Sequence, residues 1–171
     1  MEKGLERMSE NYADIIRIAK KQEELLRFDH FSNRDAWNLG VFLVERMFDN
    51  QIDMAISIRK LNGNIIFHYQ TQNTTLSNQQ WMQRKFNTVC LTEASSLRAW
   101  ATAELKGQSL SDQGISAADY AFCGGGIPIR LKSGELVAVL IVSNLPHKQD
   151  HGFVVDGLSA WLGVSGVPVV E

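Results

Sequence analysis

The chain carries four histidines and two cysteines. One histidine directly follows an acid, as Asp150-His151. Pro146, four residues before the acid, opens a helix, and the pair is read into its first turn. The helix macrodipole favours an acid there and lowers a histidine's affinity for a proton. A neutral imidazole so placed can serve as an axial ligand or a general base. The same two residues can equally form a helix cap and an intersubunit hydrogen bond. His147 and His151 are four apart, a spacing that can chelate a metal. The metalloprotease form of that pattern needs Glu after the first His, and Lys148 stands there. No third ligand lies near, so no metal is expected. His68 and His30 read as structural.

Three further features carry candidate chemistry. Gly124, Gly125 and Gly126 lack side chains, so a ligand or another backbone can approach closely, and successive amides can form an anion nest. The bland alternative is a bulge that lets Pro128 sit in a strand. Lys85 falls between Trp81 and Val89 on an apolar helix stripe. Such a cation either snorkels to water or pairs with a buried acid or a ligand carboxylate. Cys123 abuts the glycines and reads as a small hydrophobe.

These residues need elements to position them. Leu5, Met8, Tyr12, Ile15, Ile16 and Ala19 recur at threes and fours, which predicts an amphipathic helix over about 3–26. Ser32 and Asp35 form a variant capping box with Asp in place of Glu or Gln. A second helix runs from there to near Asn50. From Ile52 the period becomes two, predicting a half-buried strand over 52–58. Asn62-Gly63 then signals a hairpin into a second strand, 64–70. Helical spacing returns at Trp81, Lys85 and Val89, and again at Leu97, Trp100 and Leu105, with a break near 93–95. Three strands are expected at 120–123, 127–131 and 135–143, the last two joined by Ser133-Gly134. The segment 136–142 is apolar on both faces, so its strand should be central. The last helix follows Pro146. If the last two strands pair through Ser133-Gly134, Ile127 lies roughly opposite Val142. The glycines, Ser143 and the start of the last helix then meet at one end of the sheet. That predicts a ligand site built from Lys85, Gly124, Gly125, Gly126, Ser143, Asp150 and His151.

Composition limits the class. The 171 residues carry a formal net charge of −2, with 44% hydrophobic and 21% charged residues. One domain over 1–171 is expected. No basic block suggests nucleic acid. The N-terminus lacks a signal-peptide core, and no run is long enough for a membrane span. A cytoplasmic protein with two free thiols is the expectation.

The stretch from Gly124 to Leu158 resembles the signature of the haem-degrading-type domain family that includes HbpS, GlcG and the C-terminal domain of PduO. The matching residues are Gly125, Gly126, Pro128, Gly134, Val142, Ser143 and Asp150. An uncharacterised branch is matched further by Trp81, Lys85, Asn87, Val89, Ser95 and Ser96, and by Asp150-His151. The family core spans about 33–163. Asn144 replaces a glycine of the branch, which predicts a left-handed backbone there. The resemblance implies an α+β fold with a profilin-like antiparallel five-stranded sheet packed by helices. It also implies a symmetric homo-oligomer, at least a dimer, and binding of a small anionic or planar ligand such as haem.

Two functions compete. One is a binding module, in which Val142, Trp161, His151, Arg130 and Lys85 supply an apolar slot, an axial ligand and cations for propionates. The other is a non-catalytic oligomeric scaffold, which the apolar tail 164–170 fits equally well. No nucleophile–base pair or paired carboxylates emerge, so enzymatic function ranks below both.

Overall fold

The structure, a computed structural model, describes residues 2–171, with side chains from residue 11 onward. Leu5 and Met8 of the expected stripe lie outside the described side chains. In chain order the elements are α1 (Glu2–Leu25), β1 (Arg27–Phe28), α2 (Asn33–Asp49), β2 (Ala55–Lys60), β3 (Ile65–Gln70), α3 (Leu76–Thr92), α4 (Ser96–Lys106), β4 (Gly126–Leu131), β5 (Leu136–Ser143) and α5 (His147–Leu162). The strands form one sheet in the order β1-β4-β5-β2-β3. Four strands pair antiparallel, and β1 adds two residues parallel to β4. The fold is α+β with a five-stranded mixed sheet.

One strand differs from the expectation. Residues 120–123 lie against α3 rather than in the sheet. The Ala121 amide donates to Thr88 Oγ1 (3.2 Å) and to the Arg84 carbonyl (3.3 Å). The Thr88 hydroxyl donates to the Ala121 carbonyl at 2.9 Å. A helix side chain thus satisfies backbone groups that a neighbouring strand would otherwise have to pair. The fifth strand is β1.

Both hairpins are built alike. Gly63 donates to the Lys60 carbonyl and Lys60 to the Asn64 carbonyl, each at 2.9 Å; Gly134 donates to Leu131 (2.8 Å) and Leu131 to Glu135 (2.9 Å). Each three-residue loop closes on a glycine of positive φ, +91° at Gly63 and +97° at Gly134. The loop and a bulge at Ile129/Arg130 set the β4–β5 register, so Ile127 opposes Leu140, not Val142.

Side chains alternate across β5. Ala138, Leu140 and Val142 join a core with Leu39, Leu43 and Met47 of α2 and Val154, Val155 and Leu158 of α5. Val139 and Ile141 face Met82, Phe86 and Val89 of α3 on the other side. The sheet is therefore covered on both faces, and β5 is its buried centre. β2 is covered too: Ser57 and Arg59, on its polar side, are buried. The Arg59 guanidinium lies over the Phe86 ring and donates to Gln83 Oε1. This strand begins at Ala55, not Ile52.

The helices dock through specific ends. Ser32 and Asp35 form the reciprocal capping box that opens α2. Glu23 of α1 accepts from the Ser95 amide at 2.8 Å and pairs with Arg98, which fastens α1 to the start of α4. Arg46 of α2 pairs with Asp156 of α5. No helix among the described residues is long and apolar enough to cross a membrane.

Candidate functional site

The glycine turn, the end of β5 and the start of α5 meet beside α3. Lys85 is brought there by α3, with only 3% of its side chain exposed. Its ammonium donates to Asp150 Oδ2 and to the Val142 carbonyl, both at 2.9 Å. The other Asp150 oxygen accepts from the Leu145 amide at 2.9 Å. A buried ion pair whose two members also bond to backbone groups is the form such pairs need to survive desolvation. The reading of Lys85 as paired with a buried acid is the one its surroundings match; it does not snorkel.

Gly125 explains how the lysine fits. Its φ is +124°, and a Cβ there would lie 2.6 Å from Lys85 Nζ and 2.7 Å from the Val142 carbonyl oxygen. The missing side chain is the space the ammonium occupies. Gly126 is held by its amide donating to Ser96 Oγ at 2.9 Å. A Cβ on Gly124 would lie 2.2 Å from the His147 carbonyl oxygen. The glycines therefore accommodate protein atoms, and none of them lines the cavity beside this cluster.

Above the ion pair opens a cavity of about 610 Å3. Trp81 and Trp100 supply indole walls, Lys85 and Asp150 lie at its inner side, and Asn78, Ser143 and His147 complete its polar rim. Of the seven residues expected from sequence, Lys85, Ser143 and Asp150 line it. Asn78 donates to the Ser143 carbonyl and hydroxyl, each at 3.3 Å, and its Oδ1 accepts from the Thr75 amide. Arg84 stacks on Trp81 at 3.9 Å, outside the cavity. Cys123 also lines it; burial pushes its thiol pKa up, so it stays protonated.

The two histidines of α5 part company. His151 is 1% exposed and faces a second cavity of about 350 Å3 beneath the C-terminal tail. Its Nε2 lies 2.7 Å from Gln22 Oε1, and Gln22 Nε2 donates to the Pro168 carbonyl at 2.8 Å. The second bond orients the amide, so His151 carries its proton on Nε2, and its buried Nδ1 has no partner. Burial, then the neighbouring His147, lowers its pKa to about 4. His147 instead lines the large cavity. The Gly124 amide donates to its Nδ1 at 3.1 Å, and its ring meets Trp100 edge to face at 4.6 Å. Burial, then Lys148 and Lys85, holds its pKa below the ordinary value.

Other expectations resolve elsewhere. Arg130 donates to the Glu93 and Gly134 carbonyls, at the far end of β4. Trp161 packs on Phe42 of α2. Asn144 is not left-handed: among the described residues the non-glycine positions with positive φ are Gln51 and Glu93. Its amide donates to the Asp53 carbonyl at 2.9 Å and its Oδ1 accepts from Asn78, so the side chain itself secures the turn. Among the described residues no three His, Cys, Asp or Glu side chains cluster to hold a metal ion. Sequence reasoning passed over Trp100 and Asn78 as site residues and weighed His147 only as a metal ligand. The tryptophans read as core from their spacing, and their partial exposure became visible only once α3 and α4 were in place.

Comparison with known proteins agrees with this architecture. The profile of the haem degrading proteins of HbpS-like type matches residues 31–159. A UPF0303 protein of Rhizobium rhizogenes is 36% identical over 150 residues, covering 88% of this chain and 91% of that one. One of Yersinia enterocolitica is 32% identical over 155 residues, covering 90% and 92%. Among solved structures, that of Ybr137w protein superposes with a TM-score of 0.80 at 26% identity over 88% of each chain. The PduOC:Heme complex shares the fold, with a TM-score of 0.62 at 17% identity over 82% of this chain and 99% of that one. With the profile spanning most of the chain and relatives above 30% identity along nearly all of it, this chain belongs to the HbpS-like haem degrading protein family.

Proposed function

We propose that this chain is a small-molecule-binding protein whose ligand sits in the 610 Å3 cavity between α3, α4 and the start of α5. The supporting observation is the Lys85–Asp150 pair at its inner side. A buried pair is often no more stabilising than packed apolar side chains of the same volume, and this one adjoins indoles left open, Trp81 being 40% exposed. Cavities of this size, part aromatic and with a few convergent polar groups, are where ligands bind. In this reading Lys85, Ser143 and Asp150 face the ligand together with His147. Gly125 leaves the room that Lys85 fills, Gly124 and Gly126 pack against His147 and Ser96, and His151 supports α5 from behind. The heme complex of a fold neighbour makes planar aromatic ligands, tetrapyrroles included, the first class to test. Titration with a panel of such compounds, followed by tryptophan fluorescence, tests the reading. Saturable quenching lost in Trp100→Ala supports it; no saturable binding across the panel refutes it.

A second reading, an oligomeric scaffold, rests on a separate observation. Trp37 (57% exposed), Phe48 (50%), Ile65 (55%) and Tyr69 (37%) form an open apolar face, mostly aromatic, along α2 and the edge strand β3. Patches of that kind mark association surfaces, here of a homo-oligomer, at least a dimer. Light scattering at micromolar concentration that gives the monomer mass would remove this reading.

A further inference from the structure

The polar groups lining the large cavity differ in what they have left to offer. The Gly124 amide is a donor in every protonation state, so the nitrogen it meets, His147 Nδ1, must present its lone pair. A neutral His147 then carries its proton on Nε2. Among the described residues nothing pairs with that N–H, although His147 lines the cavity. Lys85 has spent two of its three hydrogens on Asp150 and Val142. Both Asp150 oxygens already accept, from Lys85 and from the Leu145 amide. Asn78 and Asn144 have each spent both ends of their amides on protein groups. The lining holds one cation and one carboxylate, paired with each other, so its charge sums to zero.

Haem fits this arrangement poorly. Ligation of iron by His147 Nε2 needs the proton moved to Nδ1, where it would meet the Gly124 N–H head on. His151 has an unpaired Nδ1, but it is buried and does not line this cavity. The propionates would find no free cation, since Lys85 is bound to Asp150.

We infer that the cavity takes an uncharged, planar, metal-free ligand bearing a carbonyl-type acceptor, which receives the His147 Nε2–H while its ring lies against Trp81 and Trp100. This rests on the cavity being the ligand site and names the class of ligand. Indole walls reward a flat ring. A zero-sum lining gives a full charge nothing to pair with. A fixed donor beside an aromatic wall selects among flat rings those with an acceptor at the right edge.

The experiment compares two probes, lumichrome, which is neutral, planar and carries ring carbonyls, and haemin. Both are titrated into the full chain and into His147→Asn, whose shorter amide can keep an acceptor for the Gly124 N–H while removing Nε2–H. Long-range 1H–15N correlation of the free protein reads the His147 tautomer without any ligand. The expected result is Nε2 protonated and Nδ1 bare, saturable lumichrome binding, and at least a tenfold loss of it in His147→Asn with the folded spectrum intact. A proton on Nδ1 overturns the inference. So does haemin binding with a histidine-ligated Soret band that disappears in His147→Asn, a result that leaves the cavity standing as a ligand site. Haemin saturating while lumichrome does not bind also overturns it. Saturation by neither probe refutes the cavity itself as their site and the inference with it.

Discussion

His151 should make the fold acid-sensitive, and the size of the effect follows from its surroundings. The side chain is 1% exposed and its pKa falls from the ordinary 6.5 to about 4, through burial first and the neighbouring His147 second. In the unfolded chain the imidazole takes up a proton near pH 6.5; in the fold it resists until about pH 4. The unfolded state therefore binds more protons between those values, and stability falls as the pH drops through that window. A gap of roughly 2.5 pKa units at 1.36 kcal/mol each removes about 2 kcal/mol by pH 5 and about 3 kcal/mol by pH 4. Above pH 6.5 the group contributes no pH dependence. The comparison protein is His151→Gln, whose amide can still donate to Gln22 Oε1 but does not titrate. Urea unfolding at fixed pH values from 7.5 to 4.5 gives both stability curves. The wild type should lose about 2 kcal/mol more than the variant by pH 5, and subtraction removes the carboxylates common to both. Parallel curves over that range would show that His151 is not held neutral by burial.

Gly125→Ala should destabilise by about 3 kcal/mol or more, because the added Cβ meets both Lys85 Nζ and the Val142 carbonyl at a φ of +124°; thermal unfolding reads it. Lys85→Met leaves a buried carboxylate without its cation and should cost about 3–5 kcal/mol. Adding Asp150→Asn, which keeps an acceptor for the Leu145 amide, should recover part of that loss in denaturant unfolding, and no recovery would show that the pair is not the cause. Asn144→Gly should lose about 1 kcal/mol through the bond to the Asp53 carbonyl; a neutral or stabilised variant would contradict a structural role for that amide.

Much of the fold is legible because its signals are local. Ser32 with Asp35 marks the start of α2, and Gly63 and Gly134 mark the two hairpins, since capping and left-handed turns depend on a few adjacent residues. The central place of β5 follows from a segment apolar on both faces. The edge strand was not legible. β1 pairs for only two residues with a partner about a hundred positions away, and Arg27 and Phe28 carry no periodic pattern. The stretch 120–123 has strand-like residues but lies within reach of Thr88, which takes up its backbone groups. Lys85 was legible as an anomaly, a cation on an apolar stripe, while its partner Asp150 lies 65 residues on in the chain. The separation of His147 from His151 was not legible. Four residues apart on one helix, they differ in what α1, α4 and the C-terminal tail bring against them.

The space that Gly125 leaves for Lys85 also restricts the order in which this sequence can drift. Any side chain at 125 collides with a long ammonium at 85 and with the Val142 carbonyl, so a shorter residue at 85 would relieve only the first collision. Losing the lysine first strands Asp150. Losing the acid first strands Lys85 in the same way, so a lineage that abandons the pair must change both positions together or tolerate a weakly folded intermediate, and the glycine is the last of the three positions to be released. Among descendants, 85 and 150 should change together or not at all, with 125 remaining glycine long after both have gone.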